Sequence, residues 1–293
     1  MQVEQFEVHK LASRKLPRRP ITVIPIGDIQ YGSDECDFDR FAAHIKETSK
    51  DPDTYYIGMG DYVDLASPSN RAALKSAMEE GKLYDTVELS LDRIAEDYLN
   101  DVKKVLQPTI GRWLGLLEGH HYWSYSSGDT SDTRLCDYLK APFLGSSAMV
   151  QVKFECSAGS GHFKDASFII WAAHGRGGGK LQSAPLNFLE NIVKGFDADV
   201  YLMGHMHKQS IARMQRLVGE FGVRSKLRHK DIIMACTGGY LKGYMAGSQR
   251  HGRAGGGYVE RGLLNPVSLG GIKINARPVI NEGYTSVRLE VSS

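Results

Sequence analysis

Residues able to bind metal stand at the ends of five apolar segments. "ITVIPIGD" closes on Gly27 and Asp28, with Gln30 two residues on. "TYYIGMGD" ends in Asp61, three residues before Asp64, and "WLGLLEGHH" ends in His120 and His121. "SFIIWAAHG" carries His174, and "ADVYLMGHMH" ends in His205 and His207. Taken singly, each has an ordinary explanation. Strand-Gly-Asp is a common turn, one His after a strand is usually hydrogen-bonded structure, and Asp61 can cap a helix. Five such endings in order point instead to one cluster at the carboxyl ends of strands, where open α/β sheets collect ligands. In extended backbone, residues i and i+2 face the same way. Asp28 with Gln30, and His205 with His207, are therefore each expected to address a common point.

Oxygen and imidazole donors in this mixture suit two divalent cations that share one carboxylate. Mn, Fe, Zn and Ni all match such ligands, with geometry and supply choosing among them. Two metals about 3.5–4 Å apart clamp a phosphate and lower the pKa of a water between them.

The segments that position these residues alternate with helical patterns. "DECDFDRFAAHIKETSKDPD" has apolar positions near helical spacing, and a long helix is expected from about Lys75 to Leu106. "SAPLNFLENIVKGFDAD" places Leu186, Leu189 and Val193 on one helical face. Strands alternating with helices imply a βαβ-rich sheet covered on both faces. Two regions depart from the alternation. "HYWSYSSGDTSDTR" has the composition of an exposed loop, and the Gly-rich "TGGYLKGYMAGSQRHGRAGGGYVERG" has no periodicity and is followed by strand-like sequence. With no repeat or linker, residues 1–293 are expected to form one domain, with substrate loops near 122–134 and 240–262.

Composition narrows the class. The 293 residues are 42% hydrophobic, enough for a substantial core, and no apolar run approaches the ~18 residues of a membrane span. A net charge of +2 makes no general electrostatic case for nucleic acid. The first twenty residues lack the apolar core of a secretory signal. Cys36, Cys136, Cys156 and Cys236 form no C-x-x-C pair, which fits reduced thiols and a cytoplasmic location.

Together "GDIQ", "GDYVD", "GHH", "AHG" and "GHMH" resemble the ordered signature of the calcineurin-like metallophosphoesterases over about residues 21 to 210. The compact chain with its Gly-rich loops looks similar to phage and bacterial members. The resemblance implies a four-layer α/β/β/α sandwich with two divalent metals, Mn foremost and Fe, Zn or Ni as alternatives. One metal would take Asp28, Gln30, Asp61 and His207. The other would take Asp61, His120, His174 and His205. His121 would hold the catalytic place, contacting the scissile phosphate and protonating the leaving oxygen, with Asp64 as its support. Two residues depart from the family pattern. Gln30 stands where the family usually has His, and His120 where it usually has Asn.

The activity this implies is hydrolysis of P–O bonds by a metal-bound hydroxide. Leu65 and Ala66 follow Asp64 where the Ser/Thr-phosphatase branch has Arg-Gly. A phosphodiesterase or nuclease acting on a phosphate ester, nucleotide or nucleic acid is therefore expected, with no membrane partner and the oligomeric state left open. A phosphomonoesterase, or a degenerate scaffold keeping the fold, are the alternatives. "GRGGGK" is followed by Leu181 where a P-loop requires Ser or Thr, so no ATP site is expected. Arg176, Arg250 and Arg253 are candidate substrate contacts, although His251 and both loop arginines also fit a solvated Gly-rich loop. "RSKLRHK" reads as short, basic, exposed surface.

Overall fold

A computed structural model describes residues 11–155, 166–222, 225–244, 256–281 and 284–293. The chain runs β1 (Leu11–Leu16), β2 (Ile21–Ile26), α1 (Phe38–Thr48), β3 (Thr54–Gly58), α2 (Pro68–Glu79), α3 (Asp85–Leu106), β4 (Trp113–Leu117), α4 (Ser131–Leu139) and β5 (Phe143–Gly145). It continues through β6 (Ser147–Phe154), β7 (Ser167–Ala173), α5 (Ala184–Ile192), β8 (Val200–Met203), β9 (Gln209–Glu220), β10 (Lys226–Thr237), α6 (Tyr258–Arg261), β11 (Lys273–Asn281) and β12 (Tyr284–Ser292).

The strands form two six-stranded sheets, ordered β12-β11-β2-β3-β4-β5 and β1-β6-β7-β8-β10-β9. Their inner faces share one apolar core, in which Val23, Ile57 and Leu114 meet Val150, Ile170, Leu202 and Ile233. On the outer face of the first sheet, Ile24, Tyr56 and Trp113 pack against Phe41 of α1, Leu99 and Val102 of α3, and Leu135 of α4. On the outer face of the second, Trp171, Tyr201 and Met234 pack against Leu189 of α5. The result is the expected four-layer α/β/β/α sandwich.

Local chemistry accounts for the elements that carry the site. β2, β3, β4 and β8 are continuous apolar runs because they are buried on both faces. Pro25 lies in an interior strand without costing a ladder bond. β11 pairs only with Ile21–Val23, so the missing N–H falls beyond that pairing. α3 buries Ala95, Leu99, Val102 and Leu106, spaced three or four apart on one face.

Two expectations need correction. The helix predicted from Lys75 to Leu106 is two helices, because Gly81 adopts φ +67 after α2 and ends it. The predicted exposed loop at 122–134 is largely packed. Trp123 and Tyr125 are 3% and 5% exposed, and Asp92 of α3 accepts hydrogen bonds from Trp123 Nε1 and from both Ser126 N and Oγ. Thr130 and Thr133 then form a capping box that starts α4 inside the supposed loop. From Lys226 onward, "RSKLRHK" opens β10.

Cys36, Cys136 and Cys236 are free thiols, while Cys156 lies outside the described residues. Among the described residues no helix is long and apolar enough to cross a membrane.

Candidate metal centre

The carboxyl ends of β2, β3, β4, β7 and β8 bring the predicted residues together. Two groups have ligand atoms all within 4.8 Å of one another: Asp28, Asp61 and His174, and His120, His174 and His205. His174 belongs to both. Its Nε2 lies 3.3 Å from Asp61 Oδ2, and its ring centroid is 4.6 Å from His120 and 5.3 Å from His205. His207 joins from the first group's side, with Nε2 3.9 Å from Asp28 Oδ1. Gln30 is buried beside them, its backbone N–H donating to the Asp61 backbone carbonyl at 2.9 Å.

The backbone does not present these residues as extended pairs. Asp28, Gln30, Asp61, His205 and His207 have φ of 48, 49, 54, 66 and 54°. All five sit in the left-handed region, so the expected i, i+2 alignment is replaced by a tight turn at each strand end. Such conformations cost roughly 1–3 kcal/mol each and persist where surrounding bonds fix them. Asp28 N donates to Gly60 O, Ile29 N to Asp61 O, and Tyr240 N to Asp28 O. The turns also require close approach. A side chain at Gly119 would run into the backbone nitrogen and carboxylate of Asp61, so glycine there lets the β4 turn close over β3.

Hydrogen bonds aim the donors. Asp61 Oδ1 accepts from His120 N at 2.5 Å and His121 N at 2.9 Å, leaving Oδ2 for the centre. Asp28 Oδ2 accepts from His205 N at 2.8 Å, leaving Oδ1. His174 Nδ1 donates to the Met59 carbonyl at 2.7 Å, which leaves Nε2 as the inward nitrogen. Asp28 Oδ1, Asp61 Oδ2, His174 Nε2 and His207 Nδ1 are all buried without a hydrogen-bond partner. Unpaired buried polar atoms are costly, and the first three converge within one group. These orphaned donors, oxygen and imidazole together, fit divalent cations.

The charges divide within the cluster. Burial pushes the Asp28 carboxyl up to about 7. Burial also opposes ionisation of Asp61, but His174 beside it and the His121 amide hold it below the usual carboxylate range. Burial disfavours a proton on His174, yet the Asp61 and Asp28 charges outweigh it and push that imidazole up to about 9. His205 and His207 are both pushed down to about 4, chiefly by burial, and are neutral imidazoles ready to ligate.

His121 stands apart from this set. Its Nδ1 is 2.8 Å from Asp64 Oδ1. Burial opposes its protonation, but the Asp64 bond and the Asp61 charge raise its pKa overall. With Nδ1–H engaged by Asp64, the other ring nitrogen is the one free to exchange a proton.

Two supports were not picked out from the sequence. Arg71 of α2 donates from Nη1 to the carbonyls of His120 and Tyr122, at 2.9 and 2.6 Å, and stacks 3.9 Å over the Tyr122 ring. Asp132 of α4 is buried and accepts from Gly119 N at 3.1 Å, bracing the same turn. The T-S-D-T capping box marks where Asp132 enters its helix, but nothing local marks its partner. Arg176 is exposed two residues after His174. Arg250, His251 and Arg253 lie outside the described residues.

No protein-family model matches the chain, and no curated protein matches it. Among solved structures it is similar to vacuolar protein sorting 29 from Cryptosporidium parvum, at 14% identity and a TM-score of 0.34. That alignment covers 94% of this chain and 99% of that one. A likeness at this level carries no argument. What stands on the chain's own structure is a four-layer α/β/β/α protein with two His/Asp groups able to hold metal at its strand ends.

Proposed function

We propose that the chain is a dinuclear metal-dependent phosphoesterase of the calcineurin-like kind, one domain over residues 1–293, acting on phosphodiesters in the cytoplasm. The observation that carries this reading is the pair of donor groups meeting at His174, with the His121–Asp64 couple beside them. Asp28, Gln30, Asp61 and His207 would hold one divalent ion, and Asp61, His120, His174 and His205 the other, Mn before Fe, Zn or Ni. Bound there, the cations supply charge neutralisation for a phosphate and acidify a water. The chain's own residues supply the rest. Asp61, fixed by two backbone amides, would serve both ions. Asp64 holds His121 with one nitrogen engaged, so the opposite nitrogen carries a proton for the leaving oxygen. Against the pull of burial, the Asp64 bond and the Asp61 charge raise the pKa of His121 and favour holding that proton.

The test is hydrolysis of bis(p-nitrophenyl) phosphate and p-nitrophenyl phosphate with Mn, Fe, Zn or Ni added. Metal-dependent turnover with the diester preferred is expected. Preference for the monoester would make this a phosphomonoesterase. Metal binding without turnover of either ester would make it a scaffold.

A further inference from the structure

His121 is held from three directions. Asp61 Oδ1 accepts its backbone N–H at 2.9 Å, and Asp64 Oδ1 faces its ring Nδ1 at 2.8 Å. Both carboxylates belong to the turn that follows β3, inside the two-sheet body. The third hold comes from outside that body. Arg71 of α2 donates from Nη1 to the carbonyls of His120 and Tyr122, at 2.9 and 2.6 Å, and so bridges the chain across His121. Its guanidinium lies 3.9 Å over the Tyr122 ring.

The helix that supplies this third hold is itself lightly attached. Ser67 caps α2, accepting from Asn70 N at 3.3 Å, and Pro68 opens its first turn. Yet none of its 12 residues is buried, and a helix of that length is marginal without tertiary packing. Its inward face offers Arg71 and, one turn on, Leu74, which packs against the cluster of Ala95, Trp123 and Tyr125. Among the described residues, Arg71 makes the side-chain hydrogen bonds that join α2 to the rest of the fold. Both contacts therefore land on the segment that carries His121. A guanidinium suits this task better than an ammonium, because its plane stacks on an aromatic face while its fork donates at fixed angles.

Resting on the phosphoesterase reading, we infer that Arg71 is a positioning residue for His121, and that through it the docking of α2 sets how well a proton reaches the leaving oxygen. Asp61 and Asp64 fix the N–H and the ring of His121, while Arg71 fixes the course of the chain on either side. Without Arg71, the imidazole keeps its Asp64 partner on a segment free to shift. A misplacement of about 1 Å is enough to cost on the order of 10²-fold in rate. Metal ligation rests on imidazoles and carboxylates whose side chains Arg71 does not bond. Proton delivery and metal binding therefore separate at this residue.

The experiment compares methyl p-nitrophenyl phosphate with methyl phenyl phosphate on the Mn-loaded protein. p-Nitrophenolate is a weak base and leaves without a proton, whereas the more basic phenolate draws on a general acid. Arg71→Ala should lower kcat for the phenyl ester by roughly 10²-fold and for the nitrophenyl ester by much less, with metal content unchanged. In a His121→Ala background the same substitution should change kcat little, since residues that act as a unit are not additive. Equal losses for the two esters, a loss undiminished in the His121→Ala background, or metal lost in step with activity overturns the assignment. Should Arg71→Ala fail to fold, Arg71→Lys, which keeps the charge but not the planar fork, is read by the same comparison. If neither ester is hydrolysed with any metal, the phosphoesterase reading fails. The hold on His121 is then judged by amide hydrogen exchange. Exchange at the His121 N–H faster by about tenfold or more in Arg71→Ala upholds Arg71 as that hold, and an unchanged rate overturns it.

Discussion

The two metal-binding groups share His174 but solve opposite problems. Asp28, Asp61 and His174 are 0%, 1% and 2% exposed, and their unpaired atoms are two carboxylate oxygens and one imidazole nitrogen. His120 and His205 are half-buried, and their Nδ1 atoms face each other at 3.3 Å. The first group is a charge problem. Buried carboxylates need a cation, and His174 takes up a proton to serve as one. In the second group His174 carries that same proton, while His120 and His205 are held neutral by burial and the neighbouring imidazoles. His174 must give up that proton to ligate a metal, so metal affinity falls as pH falls. One cluster thus holds a site that is electrostatically incomplete and a site that is merely open.

Outside both groups, the largest effect is expected from His121. His121→Ala should cut turnover by roughly 10²–10⁴, the range for losing general acid–base help, with metal content unchanged. Metal lost in step with activity would place His121 among the ligands and redraw both groups. A middle-sized effect concerns the order of metal loss. The first site offers carboxylates, an amide oxygen and one imidazole, whereas the second offers three imidazoles, which suit Zn, Fe and Ni. Dialysis should leave metal mainly beside His120 and His205, added Mn²⁺ should restore activity, and Gln30→His should make the first metal harder to remove. Anomalous diffraction on partly stripped crystals reads this directly. Equal depletion of both sites, or retention beside Gln30, would show that ligand type does not set the order.

The smallest effect tests burial as the dominant force on the carboxylate side. Burial pushes Asp132 from 3.8 up to about 7. Its folded form therefore binds a proton that the unfolded chain has released, and the stability this supplies is lost as pH rises from about 4 to about 7. Metal-free Asp132→Asn should gain on the wild type across that window in paired thermal melts. A stability difference that stays flat with pH would mean the carboxyl is already ionised.

Much of this centre was legible in the sequence because its parts are local. Each apolar run announces a buried strand, and the polar residue ending it marks where the strand leaves the sheet. All five predicted strands form, and Asp28, Asp61, His120, His174, His205 and His207 all meet. The left-handed turns at Asp28, Asp61 and His205 were not legible, since Asp and His carry no obligatory mark for positive φ as glycine does. Gly81 did carry that mark, and the break between α2 and α3 could have been placed there. Asp132 and Arg71 were invisible for a different reason. Each acts on the 119–122 turn from a distant element, and long-range partners leave no spacing to read. Strands β1, β6 and β9 escaped because their alternation of more and less exposed residues resembles loop sequence until the sheet order is known.

The central claim is that Asp61 joins two metals in one centre, and metal content measures it directly. After equilibration with Mn²⁺ and removal of free ion, the wild-type protein should carry about two metals per chain. Asp61→Asn should carry fewer and show no turnover, with its fold intact by circular dichroism. Full metal loading in Asp61→Asn, or a wild-type protein that binds no metal at all, would contradict the account.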